Sequence, residues 1–565
     1  MATPLSPRTR TLTVIAQDPS VLRPDGNILT ARVEVPAERL APGPWGHRVH
    51  VIDYDASTGR LYRPRTDAAD RDPYEHVRDA SRLLDDPCFH AQNCYAVAMS
   101  TLARFERALG RRVSWGFSGH QLKVAPHAFL DANAFYSRRD EALMFGWFHS
   151  DTGPVYACLS HDVVAHETTH AVLDGLRERY TDPSSPDQAA FHEGFADVVA
   201  LLSVFAMPEV VAVALGARPG PRRDVLPRSA LTPDALRRSA LLGLAEQMGR
   251  QLQNVRGAAL RRSALLEPDR RLYRAPEYLE PHRRGELLVA AMMNAFVQVW
   301  AARLEALREI QRGCLDRERV VQEGADVADR LLTTAIRALD YAPPVDLQFG
   351  DYLRGLLAAD REDQPDDRRY LCRDALERTF RAYGIDPAAE TSAAGRRSWL
   401  LRPGGVDVEG THFASMQHEP DEVFRFVWQN RELLELSDDA YTRVLSVRPC
   451  TRVAGDGFVL HETVAEYVQI LDLQPDELRS LGIRRPAGMP DDLSVTLYGG
   501  GVLVFDEYGR LKLHVSKSVR DAEEQSVRLA YLAAHGGLRG PGARRFSALH
   551  RRRNLARIER PAERW

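Results

Sequence analysis

Apolar positions alternate with polar ones near the start of the chain and recur at helical spacing through its middle. Residues 30–35 alternate regularly and residues 47–54 do so partly, which is typical of β-strands. Residues 91–109 and most of 155–386 instead have the period of buried or amphipathic helices. The pattern therefore predicts an α+β protein with a strand-rich first part and a mostly helical second part.

The last third of the chain follows a different pattern. A glycine and a proline within 384–387 end the helical region, and the polar residues 388–402 predict a linker. Several later segments are typical of strands, namely 423–428, 443–447, 493–498, 502–505 and 511–515. The glycines at 499–501 predict a turn between two of them. His461 and Glu462 match only half of a zinc motif, and we interpret them as the start of a helix.

These patterns divide the chain into four parts. We expect an N-terminal β-rich lobe with a long helix and an edge strand, a helical lobe, a linker and an additional domain of mixed α/β structure. Their bounds are 1–154, 155–387, 388–402 and 403–565. The additional domain has no evident chemistry of its own, and it is a candidate for binding a protein partner.

The strongest chemical signal is the segment His166-Glu167-Thr168-Thr169-His170. Residues four apart on a helix lie about one turn apart, so both imidazoles point the same way and can share one Zn²⁺. Glu167 is offset from both ligands, and its carboxylate can take a proton from a zinc-bound water. The bare pattern also occurs by chance on solvated helices, so it needs support from the rest of the chain.

A second apolar helix, predicted at 191–202, provides that support. Glu193 offers a third ligand, and three protein ligands are usual in catalytic zinc sites. Metal-bound imidazoles usually donate their second N–H to a carboxylate, a task that suits Asp174 and Asp197. Burying so many acidic and imidazole groups without a cation would be costly. The sequence thus predicts one Zn²⁺ per chain, held by the two histidines and Glu193.

Together these motifs resemble the thermolysin-like gluzincins, zinc endopeptidases with a His-Glu-x-x-His helix and a downstream Glu-x-x-x-Asp helix. The resemblance covers about residues 85–386, a little over half of the chain. It implies a two-lobed metallopeptidase fold, with a β-rich N-terminal lobe and a helical C-terminal lobe. It also implies a peptide or protein substrate, with Glu167 as the general base in hydrolysis of the peptide bond.

The resemblance implies roles for further residues on both sides of the cleft. Residues 133–136 and 143–146 resemble the family's edge strand, where Asn133 and Ala134 would hydrogen-bond the substrate backbone. His282 resembles the histidine that stabilises the transition state. Two weaker matches are Tyr180, which would also contact the oxyanion, and Arg261, which would lie near the primed-side pocket.

One difference from the secreted relatives concerns calcium. Their paired calcium sites use acidic residues after the third-ligand helix, whereas residues 199–207 are apolar here. Asp162 remains, but alone it cannot supply the several oxygens that Ca²⁺ needs. We therefore expect no paired calcium site.

Composition narrows the classes of partner and compartment. The net charge of −3 suggests no polyanion partner, and the arginine-rich residues 539–565 favour a solvated terminal helix over nucleic-acid binding. The N-terminus has no apolar stretch of signal-peptide length, and no run approaches the ~18 apolar residues that span a bilayer, so no membrane partner is expected. The six cysteines are scattered, which argues against a disulfide framework or a cysteine zinc site and favours a reduced, cytoplasmic protein.

Two alternatives to an endopeptidase stay open at this stage. The chain could be a binding or regulatory protein that keeps the fold while catalysis is restricted or lost. It could also be an aminopeptidase of the same zinc class, although no Gly-x-Met-Glu-Asn-like stretch lies near Asn133. Other histidines near the strands, including His127, lack ligand spacing with a carboxylate and are expected to be surface or core residues.

Overall fold

Strands dominate the first part of the structure, which is a computed structural model. It describes residues 8–63, 72–151, 153–216, 224–242, 263, 266–389, 399–401, 404–454, 457–535 and 537–539. The N-terminal strands are β1 (Thr9–Ile15), β2 (Thr30–Pro36), β3 (Val49–Val51), β4 (Tyr54–Asp55), β5 (Arg60–Leu61), β6 (Leu122–Leu130), β7 (Ala134–Ser137), β8 (Ala142–Ser150) and β9 (Gly153–Tyr156). Alternation is visible at the start of β6, which buries Leu122 and Val124 and exposes Lys123.

The N-terminal strands form one larger sheet and two hairpins. β1 pairs with β2 and β4 pairs with β5, both antiparallel. The larger sheet has the order β3-β6-β8-β7, with β9 also paired to β8. β3, β6 and β8 are parallel, whereas β7 and β9 run antiparallel to β8. β7 therefore lies at a sheet edge, where it contacts the helix that begins at His161.

Helices fill the middle of the structure. They are α1 (Pro87–Leu109), α2 (His161–Leu176), α3 (Pro186–Phe205), α4 (Pro208–Ala214), α5 (Pro233–Leu236), α6 (Pro281–Glu305), α7 (Arg317–Arg337), α8 (Phe349–Asp363) and α9 (Cys372–Ala382). The short strands β10 (Val225–Pro227) and β11 (Cys314–Asp316) pair between them. Polar side chains cap the starts of two of these helices. The side chains of Ser185 and Glu280 accept hydrogen bonds from backbone N–H groups in the first turns of α3 and α6.

α3 and α6 approach each other unusually closely. A Cβ atom on Gly194 would lie 3.1 Å from the carbonyl oxygen of Gly285, so both positions favour glycine. By length and mean hydropathy α6 could cross a membrane, although the sequence analysis predicts no apolar run of that length. Because 83 % of its most apolar window is buried inside the protein, α6 has the environment of a core helix.

The C-terminal region combines a sheet with short helices. Its elements are β12 (Trp399–Leu401), α10 (Phe413–Met416), α11 (Pro420–Gln429), β13 (Tyr441–Val453), β14 (Val459–Leu473), α12 (Glu477–Ser480), β15 (Val495–Asp506), β16 (Leu511–Lys517) and α13 (Ala522–Ala534). The strands form an antiparallel sheet in the order β12-β16-β15-β14-β13. The predicted linker at 388–402 lies mostly outside the described residues.

Three sequence-based assignments in this region are wrong. Residues 423–428 lie in α11 because Pro420 and two acids start a helix there, and its buried residues have helical spacing. The glycines at 499–501 lie inside β15, where a Cβ on Gly500 would meet the Tyr467 carbonyl at 2.4 Å. His461 lies in β14, which pairs with β13 on one side and with β15 on the other. The segment predicted to begin a helix is therefore part of a central strand.

The two faces of the C-terminal sheet pack against different partners. On β15, Val502 and Val504 join the large core that also contains the helices of the middle region. Leu503 and Phe505 point to the opposite face, where they pack with Phe426 of α11. This alternation is the period-two rule for strands, and it places the sheet between the helical region and α11.

Buried ion pairs also join the sheet to the helical region. Arg452 of β13 donates hydrogen bonds to Asp340, which follows α7, and to Glu462 of β14. Arg111, which follows α1, donates to both carboxylate oxygens of Asp340, at 2.5 and 2.6 Å. Burial alone would raise the pKa of Asp340, but the two guanidinium groups outweigh it and hold that pKa well below its usual value.

We expect Asp340→Asn to lower the free energy of unfolding by about 3–5 kcal/mol at neutral pH, because the buried Arg111 guanidinium then lacks its carboxylate partner and Arg452 keeps only Glu462. The pKa of Asp340 is lowered by folding, so its stabilisation is present above the unfolded pKa of about 4 and is lost as the pH falls further. The difference between wild type and variant in urea unfolding should therefore narrow below about pH 4.

Asp374→Asn is the matched control. Asp374 is 71 % exposed and pairs at 3.3 Å with Arg378, one turn along α9. Its replacement should change the free energy of unfolding by less than about 0.5 kcal/mol. Equal effects of the two variants would contradict the role given to Asp340.

Candidate metal centre

The histidine pair lies on α2, whose residues are almost all buried. His166 and His170 are 2 % and 1 % exposed, and their ring centroids are 4.4 Å apart. The rings are nearly perpendicular, at 88°. One helical turn separates the two residues, so both Nε2 atoms can face the same group on α3.

α3 supplies that group, the carboxylate of Glu193. Oε2 lies 3.5 Å from His166 Nε2, and Oε1 lies 3.7 Å from His170 Nε2. In a tetrahedral site with metal bonds of about 2.1 Å, neighbouring ligand atoms are about 3.4 Å apart. The three predicted ligands thus converge at the spacing that one bridging ion requires. Two imidazoles and one carboxylate form a donor set that suits Zn²⁺ and leaves a coordination position open.

The second nitrogen of each imidazole faces a different partner. His166 Nδ1 lies 2.7 Å from Asp197 Oδ1, the pairing that the sequence analysis expects. His170 Nδ1 lies 3.0 Å from Nδ1 of His192, which the sequence analysis did not select. His192 directly precedes the predicted ligand Glu193 on a buried helix, and this adjacency is the sequence signal that could have identified it. Such contacts fix the tautomer and the ring orientation of a metal ligand.

Asp174 ties α2 to the edge strand. Its carboxylate accepts a hydrogen bond from the Tyr136 hydroxyl at 2.9 Å and one from Arg138 at 3.3 Å. Burial and the Asp174 charge together raise the pKa of Tyr136 well above its usual value. The predicted task of Asp174, orienting His170, stays a prediction, because the ring contact described above is with His192.

Glu167 is fully buried and reaches the edge strand β7. Its Oε2 accepts a hydrogen bond of 2.9 Å from the backbone N–H of Tyr136. Two residues earlier, the Ala134 N–H donates to the side-chain oxygen of Asn133 at 2.8 Å. The structure therefore brings the predicted base and both predicted backbone-binding residues to the same edge of the sheet.

His282 lies in the first turn of α6, near the close contact of that helix with α3. Its side chain is 35 % exposed, and Nδ1 lies 2.9 Å from Glu280 Oε1. Gly285, one turn further along α6, contacts Gly194, the residue after Glu193. A partly exposed imidazole at a helix start beside the third-ligand helix is compatible with a substrate contact, which stays a prediction.

Tyr180 is used inside the core and does not contribute to the described site. Tyr180 is 1 % exposed and donates its hydroxyl to the Pro343 carbonyl at 2.7 Å, while its ring packs edge-on against Phe191. The hydroxyl is thus used inside the core, which corrects the expectation that it contacts an oxyanion. Arg261 lies outside the described residues.

The connection between α2 and α3 is held by the C-terminal sheet. Arg177, directly after α2, is buried and donates to Glu466 on β14 and to the Leu339 carbonyl. The guanidinium group of Arg179 lies 4.2 Å from the ring centroid of Tyr498 on β15. The two helices that carry the candidate ligands are therefore connected by a segment that the last third of the chain supports.

We expect Glu193→Ala and His170→Ala each to lower the metal content by about one ion per chain, because two remaining ligands hold Zn²⁺ far more weakly than three. Asp197→Asn keeps all three ligands and should weaken zinc affinity by roughly 10–100-fold. Metal analysis after dialysis against a competing chelator measures both effects. Glu209→Ala, an exposed position at the start of α4, is the control. Full metal content in Glu193→Ala would refute the ligand assignment.

Comparison of the sequence with protein-family models and with curated proteins gives no match. No protein-family model matches the chain. No curated protein is significantly similar to it in sequence. The function must therefore be argued from the residues of the metal centre and their surroundings.

Proposed function

We propose that this chain is a zinc-dependent peptidase, and that it acts as an endopeptidase. One observation carries the proposal: two histidines and a glutamate from two helices converge on one point, and a second, buried carboxylate, Glu167, directly follows the first histidine on α2. A structural zinc site would close the fourth position with a further ligand. Three protein ligands with an adjacent buried carboxylate instead suit hydrolysis.

Glu167 acts as the general base in this proposal. A bound zinc ion would supply Lewis acidity, which acidifies water and polarises a carbonyl group. Glu167 takes a proton from the attacking water and delivers it to the leaving amine nitrogen. The hydrogen bond from the Tyr136 N–H holds one carboxylate oxygen, so it fixes the direction in which Glu167 works.

The edge strand β7 binds the substrate in this proposal. An extended peptide can add to an exposed sheet edge through main-chain hydrogen bonds. The Ala134 N–H, which the Asn133 side chain now engages, would bind a substrate carbonyl once that side chain turns away. Asn133 would then be available to the substrate as well. Because a sheet edge accepts an internal segment of a chain, this mode favours an endopeptidase.

The proposed compartment is a reducing one, such as the cytoplasm. All six cysteines have free thiols in the structure, and disulfides form and persist mainly in oxidising compartments. A peptidase in such a place acts among folded proteins, and a site that accepts only extended segments would select unfolded or flexible ones.

We expect Glu167→Gln to retain zinc and to lose hydrolysis of a mixed peptide library by roughly two or more orders of magnitude, because the amide cannot accept the proton. Mass spectrometry of the library and metal analysis of the same sample measure the two quantities. Glu178→Gln, at a residue whose side chain is 66 % exposed and lies just after α2, is the matched control.

His282→Ala should lose less activity than Glu167→Gln, since it supports the developing charge and does not generate the nucleophile. If Glu167→Gln cleaves the library as fast as the wild type, the general-base role fails. If the zinc-loaded wild type cleaves no peptide at all, the peptidase proposal fails with it.

A further inference from the structure

A second group of metal-binding side chains lies outside the centre described above. It consists of His90 on α1, His127 on β6 and Cys158 in the short turn Ala157–Leu159 that precedes α2. Their donor atoms all lie within 4.8 Å of one another. The two histidines are each 1 % exposed and the cysteine is 0 % exposed, so water does not reach the group freely.

Each imidazole is held from outside by an acceptor. His127 Nδ1 lies 2.8 Å from Oδ1 of Asp53, and His90 Nε2 lies 2.9 Å from the Leu84 carbonyl oxygen. Carboxylates and carbonyls accept hydrogen bonds, so both of these ring nitrogens donate. A metal-bound histidine usually has this arrangement, in which the outer N–H is given to a carboxylate or a backbone carbonyl.

The two inner nitrogens of the neutral rings therefore face each other with no ring N–H between them. His90 Nδ1 lies 2.8 Å from His127 Nε2. A neutral imidazole has one N–H, and in both rings the outer contact already uses it. Two lone pairs at this distance repel, so the gap needs one cation, which is either an added proton or a metal ion.

The cysteine distinguishes these two cations. A proton shared by two rings has no use for a thiol, whereas a soft thiolate is a preferred ligand of Zn²⁺. The charges also balance with a metal, because the two positive charges of Zn²⁺ meet the Cys158 thiolate and the Asp53 carboxylate. A neutral filled site is the least costly one to bury.

Little movement is needed to admit the ion. Two nitrogens bound to one zinc at about 2.0–2.1 Å lie about 3.3 Å apart in tetrahedral geometry. The rings would thus open by about half an ångström from their present 2.8 Å. Cys94, one turn after His90 on α1, lies against the Cys158 thiol and is a candidate for the fourth position.

We propose that His90, His127 and Cys158 bind a structural Zn²⁺, with Asp53 orienting His127. This ion joins three elements that are distant in sequence: α1, β6 and the turn that leads into α2. Binding releases the thiol proton and the proton between the rings, and no oxidant or reductant is involved. The site needs no substrate access, which fits its burial.

Replacing zinc by Co²⁺ in the full-length protein tests the proposal directly. A thiolate ligand gives Co²⁺ a sulfur-to-metal charge-transfer absorption, and the His166, His170 and Glu193 centre contains no sulfur. We expect the wild type to hold about two metal ions per chain and to show this absorption. His170→Ala should hold about one ion and keep the absorption, which separates this site from the proposed catalytic centre.

Replacing Cys158 and Cys94 together by serine should abolish the absorption and remove about one ion per chain, because hydroxyl groups are poor substitutes for a thiolate. Cys372→Ser is the matched control, since Cys372 is also buried but lies at the start of α9. It should keep both the ion and the absorption.

Two results would overturn the proposal. Wild-type protein loaded with Co²⁺ and lacking any thiolate absorption would show that a proton fills the gap, and this measurement needs no variant. Retention of the absorption in a folded protein that carries both Cys94→Ser and Cys158→Ser would show that a cysteine elsewhere in the chain supplies the sulfur. Loss of peptidase activity alone bears on neither result, so the two metal sites are tested independently.

Discussion

The packing of α2 against α3 is the interaction on which the rest of the structure depends, because the proposed catalytic ligands are divided between these helices. Neither helix alone has three ligands, and a shift of one along the other by a single turn, about 5.4 Å, would separate them. The spacing of 3.5 and 3.7 Å between imidazoles and carboxylate is therefore a measure of how well this packing is fixed. The elements packed around α2 and α3 help to hold the ligands at that spacing.

Each side of the helix pair is supported by a different part of the chain. On one side the edge strand β7 binds α2 through Glu167 and Asp174. On another side α6 packs against α3 at a pair of glycines, where an added methyl group would lie only 3.1–3.3 Å from the neighbouring backbone. The connection between the two helices rests on the C-terminal sheet through Arg177. The sheet shares a buried core with the helices, so it supports the candidate metal centre as part of one framework.

The sequence predicts the parts of this arrangement that depend on local spacing. His166 and His170 are one turn apart in any helix, and Glu193 and Asp197 repeat the same spacing on the next long helix. What it could not predict depends on partners far along the chain. Asp53 and His127 are 74 residues apart, so no spacing rule predicts that the Asp53 carboxylate orients the His127 ring. The strand assigned to 423–428 failed because a short apolar run fits a buried strand and a helix equally well.

The contact between Arg177 and Glu466 has a consequence for how the protein is made, since the two residues are 289 positions apart. A ribosome adds about 5–20 residues per second, so roughly 15–60 seconds pass between the synthesis of the two side chains. During that time both helices and all three ligands exist, but the segment between them has no sheet to rest on. The connection between the two helices therefore gains this support only when most of the chain has been synthesised, and the proposed peptidase would lack it while its chain is still on the ribosome.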